Sequence, residues 1–163
     1  METQAPTLAD LSGEVARLRK MEPHPADVIR RILGDVLRNK LLCVRLDNGT
    51  CWVGHNMGIK NEYRKFCLRR PHERTILSEV HDSYGRHIWK AYGWDYEISY
   101  FDLESIEVFE GETVYVVMPV ELPQWPCSGK SDFTSAKEAE AFIAAMDEPA
   151  AFEVKEVSLE ACQ

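Results

Sequence analysis

The sequence predicts an α+β protein: N-terminal helices, a bent antiparallel β-barrel-like domain and a C-terminal helix packed on the sheet. Three observations lead there. Apolar residues recur at spacings of three and four from Leu8 to Leu37, the period changes to alternation after Asn39, and a helical pattern returns between Ala136 and Met146. These changes divide the chain into a helical segment (1–39), a barrel-like segment (40–121) and an acidic α/β extension (122–163). With 163 residues, 45% hydrophobic and 28% charged, the chain is long enough to bury roughly two-thirds of its unfolded surface without disulfide or metal staples.

Leu8, Leu11, Val15 and Leu18 form one apolar helical face, weakened by Gly13. Pro23 and Pro25 interrupt it, and Pro25 suits the first turn of a second helix with Asp27 near its positive end. In that helix Val28, Ile29, Ile32, Leu33, Val36 and Leu37 make one stripe, while Arg30, Arg31, Asp35 and Arg38 form the solvated side. After Asn39, Leu42, Val44 and Leu46 interleave with Cys43 and Arg45, and Cys51-Trp52-Val53 resumes the extended pattern. Asp47-Asn48-Gly49 between them predicts a hairpin with a type I′ turn. Gly54 and Gly58 allow the second strand to curl, and Tyr63 to Leu68 reads as a third strand.

Arg69 to Arg74 is a polar, basic connection, and Thr75 to Val80 fits either a strand or a short helix. Tyr96 to Tyr100 and Ser105 to Phe109 predict strands, and the β-branched run from Thr113 to Glu121 has the composition of a central one. Pro119, Pro123 and Pro126 bracket a rigid segment around Trp125, and Ser128 to Asp132 reads as a loop. Thr134 or Ser135 is the natural N-cap of the last helix, with Glu138 in the capping-box position and Pro149 as the stop. Phe152, Val154, Val157 and Leu159 then alternate in the manner of an edge strand.

The segment Leu42 to Leu68, LCVRLDNGTCWVGHNMGIKNEYRKFCL, resembles the first motif of the Sm-like family of small barrels. A leading helix, the hairpin turn at Asn48-Gly49 and bending glycines at Gly54 and Gly58 follow in the family's order. SH3-like barrels share a hairpin of this form, so the resemblance implies an SH3/Sm-like barrel, and from the Sm side ring assembly and RNA binding. Two departures bear on function. The turn after the second strand reads Lys60-Asn61-Glu62-Tyr63-Arg64 in place of the family's acidic, aromatic and asparagine grip, and the Arg-Gly pair of its second motif is absent.

No sequence pattern announces chemistry. Gly129-Lys130-Ser131 lacks the earlier glycine of a phosphate loop, since position 124 is Gln, and Pro123 and Pro126 give the wrong backbone. His24, His55, His72, His81 and His87 have no partner that the sequence fixes in space, so no catalytic residue is assigned. The cysteines, Cys43, Cys51, Cys67, Cys127 and Cys162, are odd in number and lack the closely spaced pairs of a structural zinc site. Even Cys51, His55 and Cys67 make a poor ligand set, and neither a metal nor a cofactor is expected. Cys43 and Cys67 read as small buried hydrophobes on strands. The first residues, METQAPTLADLSGEV, do not have the basic and apolar regions of a secretory signal, and no apolar run approaches the ~20 residues of a membrane helix. A cytoplasmic protein without membrane contact is expected.

Charge is the strongest functional signal. Residues 1–100 hold 16 Lys and Arg against 13 Asp and Glu, whereas residues 101–163 hold 3 against 14. Glu104, Glu107, Glu110, Glu112 and Glu121 fall along two neighbouring predicted strands. They are the candidate surface for another protein, one associated with nucleic acid, because spaced carboxylates imitate phosphates. The chain would then act as an inhibitor or adaptor, in the manner of a phage anti-defence protein. Lys60, Tyr63, Arg64, Arg69, Arg70 and Trp89 support a different class, since cations and stacking aromatics make a single-strand RNA or DNA groove. Against that stands the acidic net charge of −8. An enzyme of unrecognised type would require a pocket holding a histidine or cysteine beside a carboxylate.

Overall fold

Thr7 starts the first helix through a capping box: its hydroxyl accepts the Asp10 N–H at 3.1 Å, and the Asp10 carboxylate accepts the Thr7 N–H at 3.0 Å. The computed structural model describes residues 7–21, 25–59, 64–79, 96–122 and 127–160. Helix α1 (Leu8–Arg19) is followed by α2 (Ala26–Arg31), which runs into a π turn over Ile32–Val36. Val15, Leu18, Ile29, Ile32, Leu33 and Leu37 are buried as the apolar stripes predict. Val28 and Val36, expected on the same stripe, are exposed. The π turn breaks the 3.6-residue period after Ile32, so Leu37 and not Val36 returns to the buried side.

A single buried asparagine ends this helical segment. Asn56 Nδ2 donates to the carbonyls of Leu33 at 2.7 Å and Leu37 at 3.1 Å, while its Oδ1 accepts the Gly58 N–H at 3.0 Å. The Leu33 carbonyl that the helix terminus leaves free is thereby satisfied inside the core, and the Leu37 carbonyl also accepts the Lys40 N–H at 3.1 Å.

Strands β1 (Leu41–Leu46), β2 (Cys51–Ile59), β3 (Lys65–Arg69), β4 (Tyr96–Ser99) and β5 (Leu103–Val108) form an antiparallel sheet in the order β4-β3-β2-β1-β5. The β1–β2 hairpin departs from the expected type I′ turn. Gly49 has φ +87° but Asn48 is not at positive φ, and the Gly49 N–H bonds the Leu46 carbonyl at 3.1 Å, a type I turn closed by a glycine bulge. Gly54 and Gly58 mark the bend as predicted. A Cβ at Gly54 would lie 3.1 Å from the Arg69 backbone, and Gly58, at φ +92°, ends a register shift between β2 and β3.

Helix α3 (residues 73–79) resolves the ambiguous Thr75 to Val80 segment as helical as far as residue 79. A second antiparallel sheet has β6 (Thr113–Pro119) at its centre, between β7 (Ser131–Phe133) and β8 (Phe152–Ser158). Two expectations change here. The β6 run, assigned by the sequence to the barrel segment, pairs instead with two strands of the C-terminal segment, and Ser131 and Asp132, read as loop, lie with Phe133 in β7. Among the described residues β4 and β5 do not pair with each other, so the first sheet is open between them.

Alternation along β1 separates the two cores. Leu42 and Val44 pack with α1, α2 and the π turn, whereas Cys43, with Leu41 beside it, faces the second sheet. The first sheet is thus the middle layer, with helices on one side and the second sheet on the other. Helix α4 (Ala136–Ala144) packs on the second sheet through Ala139, and Ser135 caps it by accepting the Glu138 N–H at 3.2 Å. No helix among the described residues is long and apolar enough to cross a membrane.

Candidate functional site

The register of β3 leaves part of β2 without a strand neighbour: their pairing begins at His55 with Arg69, so the N–H groups of Cys51 and Val53 lie beyond it. Side chains of β7 take those positions. Ser131 Oγ accepts the Cys51 N–H at 2.8 Å and donates to its carbonyl at 3.0 Å, and Asp132 Oδ2 accepts the Val53 N–H at 3.0 Å. Asp132 is therefore fully buried, and a buried carboxylate needs a cation.

Arg70, one residue past β3, supplies it. Its Nε and Nη2 donate to the two Asp132 oxygens at 2.8 and 2.5 Å. Nη1 and Nη2 also reach the hydroxyl and carbonyl of Ser128, both at 3.1 Å, and the guanidinium lies over the Trp52 and Tyr96 rings at 5.0 and 5.3 Å. Ser128 donates to Glu73 at the start of α3 at 2.9 Å, and so accepts from the Tyr96 hydroxyl at 2.8 Å. Trp52 and Tyr96 stack with centroids 5.1 Å apart. His72 completes the group: its Nε2 is 3.0 Å from Asp132 Oδ1, though without hydrogen-bond alignment, and neither ring nitrogen has a hydrogen-bond partner among the described residues.

Burial alone would raise the Asp132 pKa, but Arg70 and His72 outweigh it and hold the carboxyl well below its usual range. Burial pushes the Glu73 carboxyl up against the opposing pull of Arg70 and Ser128, and raises the Tyr96 phenol likewise. Burial, together with Arg70, keeps His72 below its ordinary value despite Asp132. The chemistry available to the group is limited by access. Arg70, His72, Glu73 and Asp132 are fully buried and Ser128 nearly so, which leaves the Ser128–Glu73 contact without an exposed reacting atom. The cluster joins β2, β3, β4, α3 and β7, and its role is to lock the two sheets together.

An open site lies elsewhere. A groove of about 800 Å³ runs past the C-terminal end of β6 and the start of β8, with Pro119, Val120, Pro149, Ala150, Ala151 and Phe152 as its apolar lining. Glu121, Glu148, Lys130 and Cys127 also line it. Val120 and the adjoining Leu122 are 51% and 44% exposed.

The predicted acidic residues do not share one face. Glu104 on β5 turns toward α1, where it pairs with Lys20 at 3.5 Å; Glu107 turns the other way, 3.8 Å from Arg45, which also holds Glu138 of α4. Glu110 and Glu112 are exposed in the β5–β6 connection, and Glu121 lies past the opposite end of the seven-residue β6, roughly 20 Å away. Of the basic set, Arg70 is withdrawn into the buried cluster because Asp132 neutralises it there. Arg64 and Arg69 are exposed, with Arg64 over the Phe101 ring at 5.4 Å. Lys60, Tyr63 and Trp89 lie outside the described residues.

Sequence reasoning missed Asp132, Ser128, Glu73 and the groove. The signal available for Asp132 was local: a lone carboxylate between Ser131 and Phe133, just before a helix cap, in a stretch read as loop. Among the described residues no three His, Cys, Asp or Glu side chains are grouped to hold a metal. No protein-family model, curated protein or solved structure matches this chain.

Proposed function

We propose that the chain is a non-enzymatic protein-binding module whose groove at the end of β6 takes an extended segment carrying a large apolar side chain next to Lys or Arg. One observation carries this reading: half-exposed Val120 and the apolar lining are bordered by Glu121 and Glu148 against one cation, Lys130, within the part of the chain that holds 14 acidic residues against 3 basic. An apolar anchor supplies affinity and the surrounding negative field selects and steers a cationic partner. Proteins that bind nucleic acid present such basic segments, and occupying one would make this chain an inhibitor or adaptor. The small-barrel relationship belongs to the same proposal. It is supported by the four-strand run β1 to β4, the return of β5 to β1, and the bends at Gly54 and Gly58.

Direct binding of single-stranded nucleic acid draws on less, since Arg70 is buried and Arg64 and Arg69 are the described members of that set on the surface. Selection from a displayed library of random peptides tests the proposal. Enriched sequences should pair an aromatic or aliphatic residue with Arg or Lys, and Val120→Asp should abolish their capture. Enrichment of acidic peptides, or capture unchanged by Val120→Asp, contradicts it.

A further inference from the structure

Cys43 and Cys51 lie on one face of the β1–β2 hairpin as diagonal neighbours, because Cys43 pairs with Val53 and Cys51 with Arg45. Their sulfurs are 3.3 Å apart. Arg45, on the same face, directs Nη1 to the Cys43 sulfur at 3.3 Å while its Nη2 holds both oxygens of Glu138 at 3.0 and 3.1 Å. Hydrophobic burial accounts for two cysteines facing the core but not for a thiol pair in contact with a fixed guanidinium.

We propose that Cys43 and Cys51 are a redox pair, oxidised by a small peroxide to a cross-strand disulfide, with Cys43 as the attacking sulfur. The hydrogen bond from Cys51, aided by Arg45, lowers the Cys43 pKa against burial and the charges of Glu107 and Glu138, and the same contact raises that of Cys51. One proton is thus shared unequally, and the thiolate form falls to Cys43. The thiolate attacks one oxygen of hydrogen peroxide, the O–O bond breaks, and hydroxide leaves with a proton from solvent as water. Cys43 is then a sulfenic acid. Cys51 attacks that sulfur, the S–O bond breaks, and the departing hydroxide takes the Cys51 proton as a second water. Two thiols and one peroxide thereby become one disulfide and two waters.

Burial selects the oxidant. With Cys43 and Cys51 1% and 0% exposed, the oxidant has to enter through a transient opening of the fold, which admits a small uncharged peroxide and excludes a tripeptide disulfide. Closing the bond moves the sulfurs from 3.3 Å to about 2 Å, a shift of roughly one ångström on neighbouring strands.

The test treats the native protein with hydrogen peroxide, then blocks remaining thiols and digests with trypsin without reduction. Cleavage after Lys40, Arg45 and Lys60 places the two cysteines on separate peptides, 41–45 and 46–60. The proposal expects these peptides linked, with a mass two hydrogens below their sum. In Cys51→Ala, dimedone should label Cys43 as the trapped sulfenic acid. Arg45→Gln should slow oxidation severalfold, because the thiolate loses the guanidinium that lies 3.3 Å from the Cys43 sulfur. Cys43 left reduced in the native protein while a urea-unfolded sample oxidises, or a linked peptide that joins Cys67 instead, overturns the proposal.

Discussion

Arg70 and Asp132, 62 residues apart in the chain, meet fork to fork with no solvent exposure on either side chain. The contact joins the end of β3 in one sheet to β7 in the other, and it exists because β7 stands in for a missing strand beside Cys51 and Val53. Replacing Arg70 by Met strands a buried carboxylate and should cost about 3–5 kcal/mol in urea unfolding. The double variant Arg70→Met, Asp132→Leu should recover most of that loss. Equal losses that simply add would mean the pair is not a coupled unit.

Asn56→Ala should destabilise by about 1–3 kcal/mol, since it strands the Leu33 carbonyl and the Gly58 N–H in the core and leaves the Leu37 carbonyl with the Lys40 N–H. Chemical denaturation measures the cost. Hydrogen exchange should also show faster opening of residues 32–37 than of β6, because the lost bonds hold the π turn.

The pH dependence of stability follows from His72. Burial and Arg70 hold its folded pKa below the ordinary 6.5, so the unfolded chain takes up a proton near that value while the folded chain does not. Stability is therefore complete above 6.5 and falls as the pH drops through it. Asp132, depressed in the fold, adds a further loss below its ordinary 3.8. Glu73 has the opposite sign: its raised folded pKa contributes stability at low pH that is lost as pH rises through the raised value. The His72 contribution should therefore lower the urea midpoint as the pH falls below about 6.5, and His72→Gln should remove that part of the decrease.

Val120→Asp places a charge on a side chain that is already half exposed, so the unfolding midpoint should hardly move. Its effect should appear in peptide capture alone. A large loss of stability would mean that Val120 is part of the core and not of a binding surface.

Much of the fold was legible because its signals are local. The spacing of Leu8, Leu11, Val15 and Leu18 located α1, and the alternation of Leu42, Val44 and Leu46 with Cys43 and Arg45 located β1. Ser135 marked the start of α4 through its side-chain oxygen. What escaped depends on distant partners. The composition of β6 announced a central strand, but nothing in Thr113–Pro119 records that β7 and β8, and not the barrel segment, would flank it. Arg70 beside Arg69 reads as basic surface, and only Asp132 makes it a core residue. The groove is made where β6 ends and β8 begins, two stretches that meet through pairing of Pro119 with Phe152.

Amide chemical-shift mapping with a selected basic-apolar peptide and, separately, a single-stranded oligonucleotide decides whether the groove at the end of β6 binds protein. The peptide should shift residues 119–122, 127–130 and 148–152, charge reversal by Glu121→Lys with Glu148→Lys should remove the shifts, and the oligonucleotide should produce none. Shifts from the oligonucleotide centred on Arg64 and Arg69, with the groove unmoved by any peptide, would contradict protein binding there.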